Sequence, residues 1–363
     1  MDLPAPDIPV TSIRPTLRPY RSVGALHCAI MTESVLLGEI TSPSGELVLM
    51  DGGYLGLWSG DRSPDEVRQP DEPPTVDFEV VGPDAEAAAR WFDRQSGRTR
   101  YDIPRQGAAQ FVELFDGHCV EHGHRAQLRA FEQRVPHRAR VRHAIAGGES
   151  DFLISGVPVV SVGGLPTDRA FPVTAVPDPD SGWAHLRIQV GDRPVTGTRE
   201  LGRIGVDWAR FVFADADALS GWIHDDPVDG LADVVFWGLH QAEVAAEFGA
   251  SRTGTPGDDN FGWLNLPIAE AYAKAVALDE RRTAAPQRRF AFDFRPHSHH
   301  WQVMAGVRAS EHEAATIEVG GARVMFAMTS IGDGFFPVYL DHDVAGAPVA
   351  IRITIQGDDQ LHA

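Results

Sequence analysis

The stretch QRRFAFDFRPHSHHWQVMAGVRAS (residues 287–310) decides how the chain is read, together with TIEVGGARVMFAMTSIGDGFFPVYLDHD (316–343) and APVAIRITIQ (347–356). Phe290, Phe292 and Phe294 alternate with Ala291, Asp293 and Arg295. That is the period of two expected of a half-buried strand. Arg295-Pro296 ends the run. His297 and His299 follow two apart, so extended backbone puts them on one face and turns His300 to the other. Residues 316–319 and 324–328 flank Gly320-Gly321 and read as a hairpin. Ile331-Gly332-Asp333-Gly334 reads as a second tight turn, leading into an apolar run at 335–340. Val349, Ile351, Ile353 and Ile355 alternate again. The block is expected to be a β-meander.

Outward from it, the pattern stays mixed. Strands are expected at 35–40, 47–50, 54–58, 76–81, 151–154, 157–162, 171–176, 183–190, 208–213 and 234–237. Helices are expected from Pro83-Asp84 to about Gln95, over 107–122, 138–145, 215–222 and 241–248, and from Pro267 to about Arg281. The order shows no βαβ rhythm. The fold class is therefore α+β, mostly antiparallel β-meanders and hairpins with several short helices. Residues 1–21 are Pro-rich and read as an arm. GDRPVTGTRE (191–200) reads as a linker and divides an N-terminal α+β domain (22–195) from a C-terminal one (196–363) that holds the meander. No repeat of 20–50 residues stands out. GEITSPSGELVLMDGG loosely echoes TIEVGGARVMFAMTSIGDG, which two hairpins of similar composition explain as well as duplication does.

The chain has 363 residues, a formal net charge of −19 and 43% hydrophobic residues. That is an ordinary globular composition. The acidity argues against nucleic acid and against anionic membrane surfaces, and suits a cationic partner. The two cysteines, Cys28 and Cys119, make neither a disulfide framework nor a metal knuckle. No basic segment followed by an apolar run opens the sequence, and no run is long enough to span a membrane. The expected setting is cytoplasmic.

Four constellations carry candidate chemistry. His297, His299 and His300 with Asp341 and Asp343 supply the donors of a divalent metal site (zinc, manganese or iron), if the two segments are neighbours. Such a metal would activate water for hydrolysis; the plainer reading is a His-rich bend. Gly332-Asp333-Gly334, with Trp301, Phe335 and Tyr339, marks a binding pocket; plain turn chemistry explains the Gly-Asp-Gly run as well. Trp208, Trp222, Trp237 and Trp263 lie among aspartates, as in sugar or cation sites, although core tryptophans beside surface acids give the same pattern. His118, Cys119 and His122 lie on one predicted helix, which fits an amphipathic surface better than a nucleophile. No phosphate-binding loop, dinucleotide fingerprint or nucleophile elbow is present.

The ending TSIGDGFFPVYLDHDVAGAPVAIRI resembles the close of the bacterial family known as domain of unknown function 4241, whose members finish on a Gly-Asp-Gly turn, an aromatic strand, a polar turn and an apolar strand. The early SPSGELVLMD is similar to that family's opening, with Gly52 where the family's proline would stand. The resemblance covers mainly residues 206–355 and implies a fold but no chemistry. The function expected from the sequence is that of a protein binding a small molecule or protein partner, with no catalysis of its own. The alternative is a metal-dependent hydrolase built on His297–His300, Asp341 and Asp343.

Overall fold

Val35–Thr41 and Leu47–Asp51 are apolar, β-branched segments split by the Ser-Pro-Ser-Gly turn, and both are strands. The structure is a computed structural model that describes residues 33–68, 72–93, 95, 97–148, 151–179, 182–254 and 260–356. The proposed arm at 1–21 and Cys28 lie outside the described residues. The strands are numbered along the chain. One six-stranded sheet runs β1 (Val35–Thr41), β8 (Ala170–Pro177), β9 (Trp183–Gln189), β19 (Pro348–Thr354), β18 (Gly334–His342), β10 (Gly197–Val206). The second runs β16 (Ala314–Val319), β17 (Ala322–Met328), β11 (Arg210–Asp215), β2 (Leu47–Asp51), β7 (Val157–Val162), β6 (Asp151–Ile154). A four-stranded sheet holds β13 (Ser251–Arg252), β14 (Phe261–Pro267), β12 (Leu231–Trp237) and β15 (Ala291–Pro296). A three-stranded one holds β4 (Thr99–Pro104), β3 (Thr75–Val81) and β5 (Gln127–Ala130). The ladders are antiparallel throughout the described residues, as expected of the α+β reading.

The two large sheets face each other across a core that includes Leu49, Phe171, Phe213, Phe336 and Ile351. The far face of the second sheet is buried as well. Met50, Val212 and Phe326 pack there beneath Val141 and Ala144 of α3 (His137–Gly147) and Val303 and Val307 of α6 (His299–Ala309). Burial on both faces is why β2 reads LVLMD, with every residue inside. The small sheets have their own cores. One lies under α1 (Ala85–Arg90) and α2 (Ala108–His122), the other under α4 (Gln241–Phe248) and α5 (Ile268–Ala284).

The strand orders expose an internal duplication. From its centre outward, the first sheet reads β9-β8-β1 on one side and β19-β18-β10 on the other; the second reads β2-β7-β6 and β11-β17-β16. The small sheets repeat the scheme, with β4-β3-β5 matching β14-β12-β15. Each half therefore runs through the same elements in the same order: two strands, a small α/β module, a helix, four strands. Register confirms it. Leu49 faces Phe213 on the local twofold between β2 and β11, so that Leu47 faces Asp215 as Asp51 faces Phe211. Ile40 faces Phe171 and Ile204 faces Phe336, both within Phe-Pro-Val triplets. Each first strand carries a bulge at a glycine, Gly38 (φ 155°) and Gly202 (φ 136°), a conformation few other residues adopt.

The expected boundary near 195 falls at the joint of these halves. It does not separate two bodies, because both large sheets take strands from each half and the described residues form one compact unit. The echo noted between β1–β2 and β16–β17 is not the true repeat, which pairs β1–β2 with β10–β11. Five local readings need correction. The linker read over 191–200 becomes strand at Gly197, where β10 starts, and the helix read over 215–222 is a 3-10 turn at Ala218–Gly221. Residues 54–58 are no strand: Gly52–Leu57 is a 3-10 turn capped by the Asp51 carboxylate. The helix expected to reach Gln95 ends at Arg90. The block 287–356 is not one meander, since β15, β16–β17 and β18–β19 enter three different sheets.

Candidate functional site

Ser298 changes the reading of the histidine run. Its hydroxyl accepts from the Trp301 N–H at 3.1 Å, so it is an N-cap, and residues 299–309 are helix rather than extended chain. Val303 and Val307 then pack four apart on one face. His297, His299 and His300 accordingly do not share a strand, and the predicted metal set is not assembled. His297 lies between Asp229 and Asp233, at 3.0 Å from each. His299 Nδ1 accepts from the Ile223 N–H at 3.0 Å. Asp341 belongs to β18, where it is held by Arg187, Arg352 and Thr198. Asp343 accepts from Arg193 and from the N–H groups of Ala345 and Ala347. Among the described residues, no group of three or more His, Cys, Asp or Glu side chains is placed to hold a metal ion.

The predicted pocket is also dispersed. Asp333 accepts from the Ala209 N–H at 3.0 Å, which is turn chemistry. Tyr339 lies under the Arg352 guanidinium, 5.5 Å from its ring centre. Phe335 is exposed at the rim of a hollow in the first half, beside Tyr101 and Phe152. Only Trp301 enters the cleft described below. Trp208 is exposed and Trp237 partly so, neither being core. Cys119 is buried on α2, and burial pushes its thiol pKa up, away from a nucleophile's range.

The repeat shows which side chains do equivalent work. Asp77 on β3 accepts from the Asp102 N–H at 2.9 Å; Asp233 on β12 accepts from the Asn265 N–H at 2.8 Å. Asp102 and Asn265 both have positive φ, 58° and 56°. The Trp58 and His137 rings lie 5.7 Å apart, those of Trp222 and His299 5.6 Å. His137 Nδ1 accepts from the Ser59 N–H at 3.0 Å, as His299 does from Ile223.

The halves differ in their cations. In the first, Arg140 of α3 is fully buried and joins Asp77 and Asp102. In the second, His297 does this work. Both of its nitrogens lie within hydrogen-bond distance of a carboxylate, an arrangement that favours the charged ring. Burial opposes that charge, but Asp233 and Asp229 outweigh it and raise the pKa above the ordinary value. The contribution to stability is thus complete below the unfolded pKa of about 6.5 and is lost as pH rises through the folded one. The His297→Gln chain is expected to be less stable by about 1–3 kcal/mol at pH 6. The gap should narrow with rising pH in urea titrations of the two chains.

At the N-terminal end of α6 a cleft of about 260 Å³ gathers Arg210, His224, Arg295, His300, Trp301 and Arg308. The exposed Asp225 also lines it. Arg210 opens β11, and its Nε is buried with no hydrogen-bond partner among the described residues. The carboxylate of Asp51 pulls on it from a distance, but its oxygens are taken by the N–H groups of Gly53, Asp207 and Trp208. Burial lowers the Arg210 pKa despite Asp51. His224 and His300 lie ring to ring at 4.5 Å. His224 Nδ1 accepts from Trp222 Nε1, so its proton sits on Nε2, facing away from that bond. Burial, then His224, Arg210 and Arg308, push the His300 pKa down to about 3. The Arg295 and Arg308 guanidiniums lie 5.3 and 4.8 Å from the Trp301 ring centre.

A hollow of about 480 Å³ between α3 and the three-stranded sheet has mixed charge. Its Glu79 is already paired with Arg98 and Arg129. The cleft at α6 is where positive charge concentrates in an acidic chain. Sequence reading found His300 and Trp301 there but not Arg210 or His224, which arrive from β11 and the turn after Trp222. No family model, curated protein or solved structure matches the chain. No helix among the described residues is long and apolar enough to cross a membrane.

Proposed function

We propose that the protein binds a small anionic ligand, one bearing a phosphate or carboxylate group, in the cleft at the start of α6, without catalysis of its own. One observation carries this reading. Arg210, whose Nε is buried with no hydrogen-bond partner among the described residues, lines a cleft with two further arginines and two histidines, inside a chain of net charge −19. Burial lowers the pKa values of Arg210, His224 and His300, and repulsion from Arg210 adds to it at both histidines. An anion relieves that repulsion. The cleft volume suits a compact ligand rather than a polymer. A cytoplasmic setting, where thiols stay reduced, fits the free Cys119.

The test is calorimetric titration with pyrophosphate and with citrate at low ionic strength. Saturable binding by at least one of them is expected, weakening as salt rises. The Arg210→Gln chain should bind about tenfold more weakly or worse, as loss of one charge-assisted contact implies. Wild-type protein that binds neither probe would sink the reading.

A further inference from the structure

The two halves place the same backbone around different charges, and that contrast bears on the specificity of the cleft. Glu46 immediately precedes β2, as Arg210 opens β11: Leu47 and Phe211, the next residue in each, are exchanged by the local twofold. Arg138 stands one residue after His137, as His300 does after His299, and those two histidines make the same backbone contact. Glu46 and Arg138 of the first half therefore correspond to Arg210 and His300 of the second. In the first half the pair is an ion pair: Arg138 Nη1 donates to Glu46, and its Nε donates to Asp217. Arg138 is almost entirely buried, and both partners raise its pKa against burial. In the second half the acid has become Arg210 and its partner a neutral His300. The position equivalent to Asp217 is Gly53, which adds no carboxylate. The surroundings differ in the same sense. Gly60 stands where His224 does, and Ala139 where Trp301 does.

We infer that the exchange of Glu46 and Arg138 for Arg210 and His300 at equivalent positions makes the second-half cleft the single anion site of the chain, while at the first-half counterpart, an open hollow of about 500 Å³ beside Asp61, Gln133 and Pro136, the guanidinium is already taken by its ion pair. This rests on the anion-binding reading above and adds its determinants and its stoichiometry. Physically, the first half commits its buried guanidinium to Glu46 and to the exposed Asp217, so a ligand would have to displace one of these carboxylates to reach it. The second half places Arg210 there beside a neutral His300, with no carboxylate among the described residues bonded to its Nε; Arg295 is paired with Asp293 and Asp225 stands at the exposed edge, and an anion would supply the partner that Arg210 lacks.

The experiment transplants the first-half pair into the second half. In the chain carrying Arg210→Glu with His300→Arg, the new side chains can meet as Glu46 and Arg138 do. Pyrophosphate titration and thermal unfolding are then compared with wild type. The expected result is one pyrophosphate per wild-type chain, affinity reduced at least tenfold in the double variant, and a thermal midpoint at or above that of wild type. Should the double variant fail to fold, Arg210→Gln with His300→Gln removes the same attraction without asking for a new pair, and loses pyrophosphate equally. Two pyrophosphates per wild-type chain, or undiminished affinity in either variant, would overturn the inference while leaving anion binding standing. A wild-type chain that binds no probe would remove both.

Discussion

Arg140→Met is expected to destabilise the chain by about 3–5 kcal/mol, the range seen when one partner of a buried ion pair is removed. Arg140 has no exposed surface. It donates to both oxygens of Asp102, at 2.9 and 3.1 Å, to Asp77 at 3.3 Å, and to the carbonyls of Val135 and Leu153. Its guanidinium also lies 4.4 Å from the Tyr101 ring centre. Methionine fills much of that volume, so a cavity is not the cause. The cause is two carboxylates left inside the protein. Burial opposes the charge on Asp102, and Arg140 with Arg134 overcomes it, keeping the pKa below the ordinary carboxylate value. Burial raises Asp77 even with Arg140 beside it. Without the guanidinium Asp77 must take up a proton or leave the interior, and Asp102 keeps Arg134 alone. Asp77→Asn and Asp102→Asn, added to Arg140→Met, are therefore expected to recover part of the loss. Asparagine tolerates the positive φ at position 102, as Asn265 does at the equivalent place. Urea unfolding of the three chains checks this; a triple variant no more stable than the single one would show that the loss comes from packing.

Local chemistry was legible in the sequence, and distant chemistry was not. The Gly320-Gly321 hairpin, the helix over 241–248 and the strands around Gly156 are set by neighbours within a few residues, so turn residues and periodicity suffice. The histidine run misled because two rules pulled apart. Alternating phenylalanines carried an extended reading past Pro296, while Ser298 was already the cap of a helix. The strands at 99–104 and 127–130 were missed because they are short, polar and paired only within their module. The duplication escaped for a different reason. It survives in scattered positions (Phe171-Pro172-Val173 with Phe336-Pro337-Val338, Trp58 with Trp222, Asp51 with Asp215), separated by modules of unequal length. Once backbone register aligns the halves, a residue that departs from its counterpart becomes informative. That is how Arg210 and His300 stand out, although neither belongs to a sequence motif.

Asp215→Ala is expected to cost about 3–4 kcal/mol, because several charge-assisted hydrogen bonds end on this one carboxylate and each contributes about 1.5 kcal/mol or more. Asp215 accepts from the Asp217 and Ala218 N–H groups at 2.9 Å, capping its own half's 3-10 turn. It also accepts from the N–H and hydroxyl of Ser44, at 2.8 and 2.7 Å, in the β1–β2 turn of the other half. Asp51 mirrors it. It accepts from Gly53 in its own half and from Asp207 and Trp208 in the β10–β11 turn. These reciprocal carboxylates tie each half to the other, so their loss acts on the joint rather than on one turn. Their costs should differ. Burial raises the Asp51 pKa in spite of its three N–H donors, so its charge is held at some expense, and Asp51→Ala should cost less, about 2–3 kcal/mol at pH 7. A folded pKa above the unfolded one favours the protonated native state, so the wild type gains on Asp51→Ala as pH falls through about 4. Chemical unfolding at pH 7 and pH 4 separates the two variants. Equal losses at both pH values for Asp51→Ala would show that its carboxylate sits in the fold at no such expense.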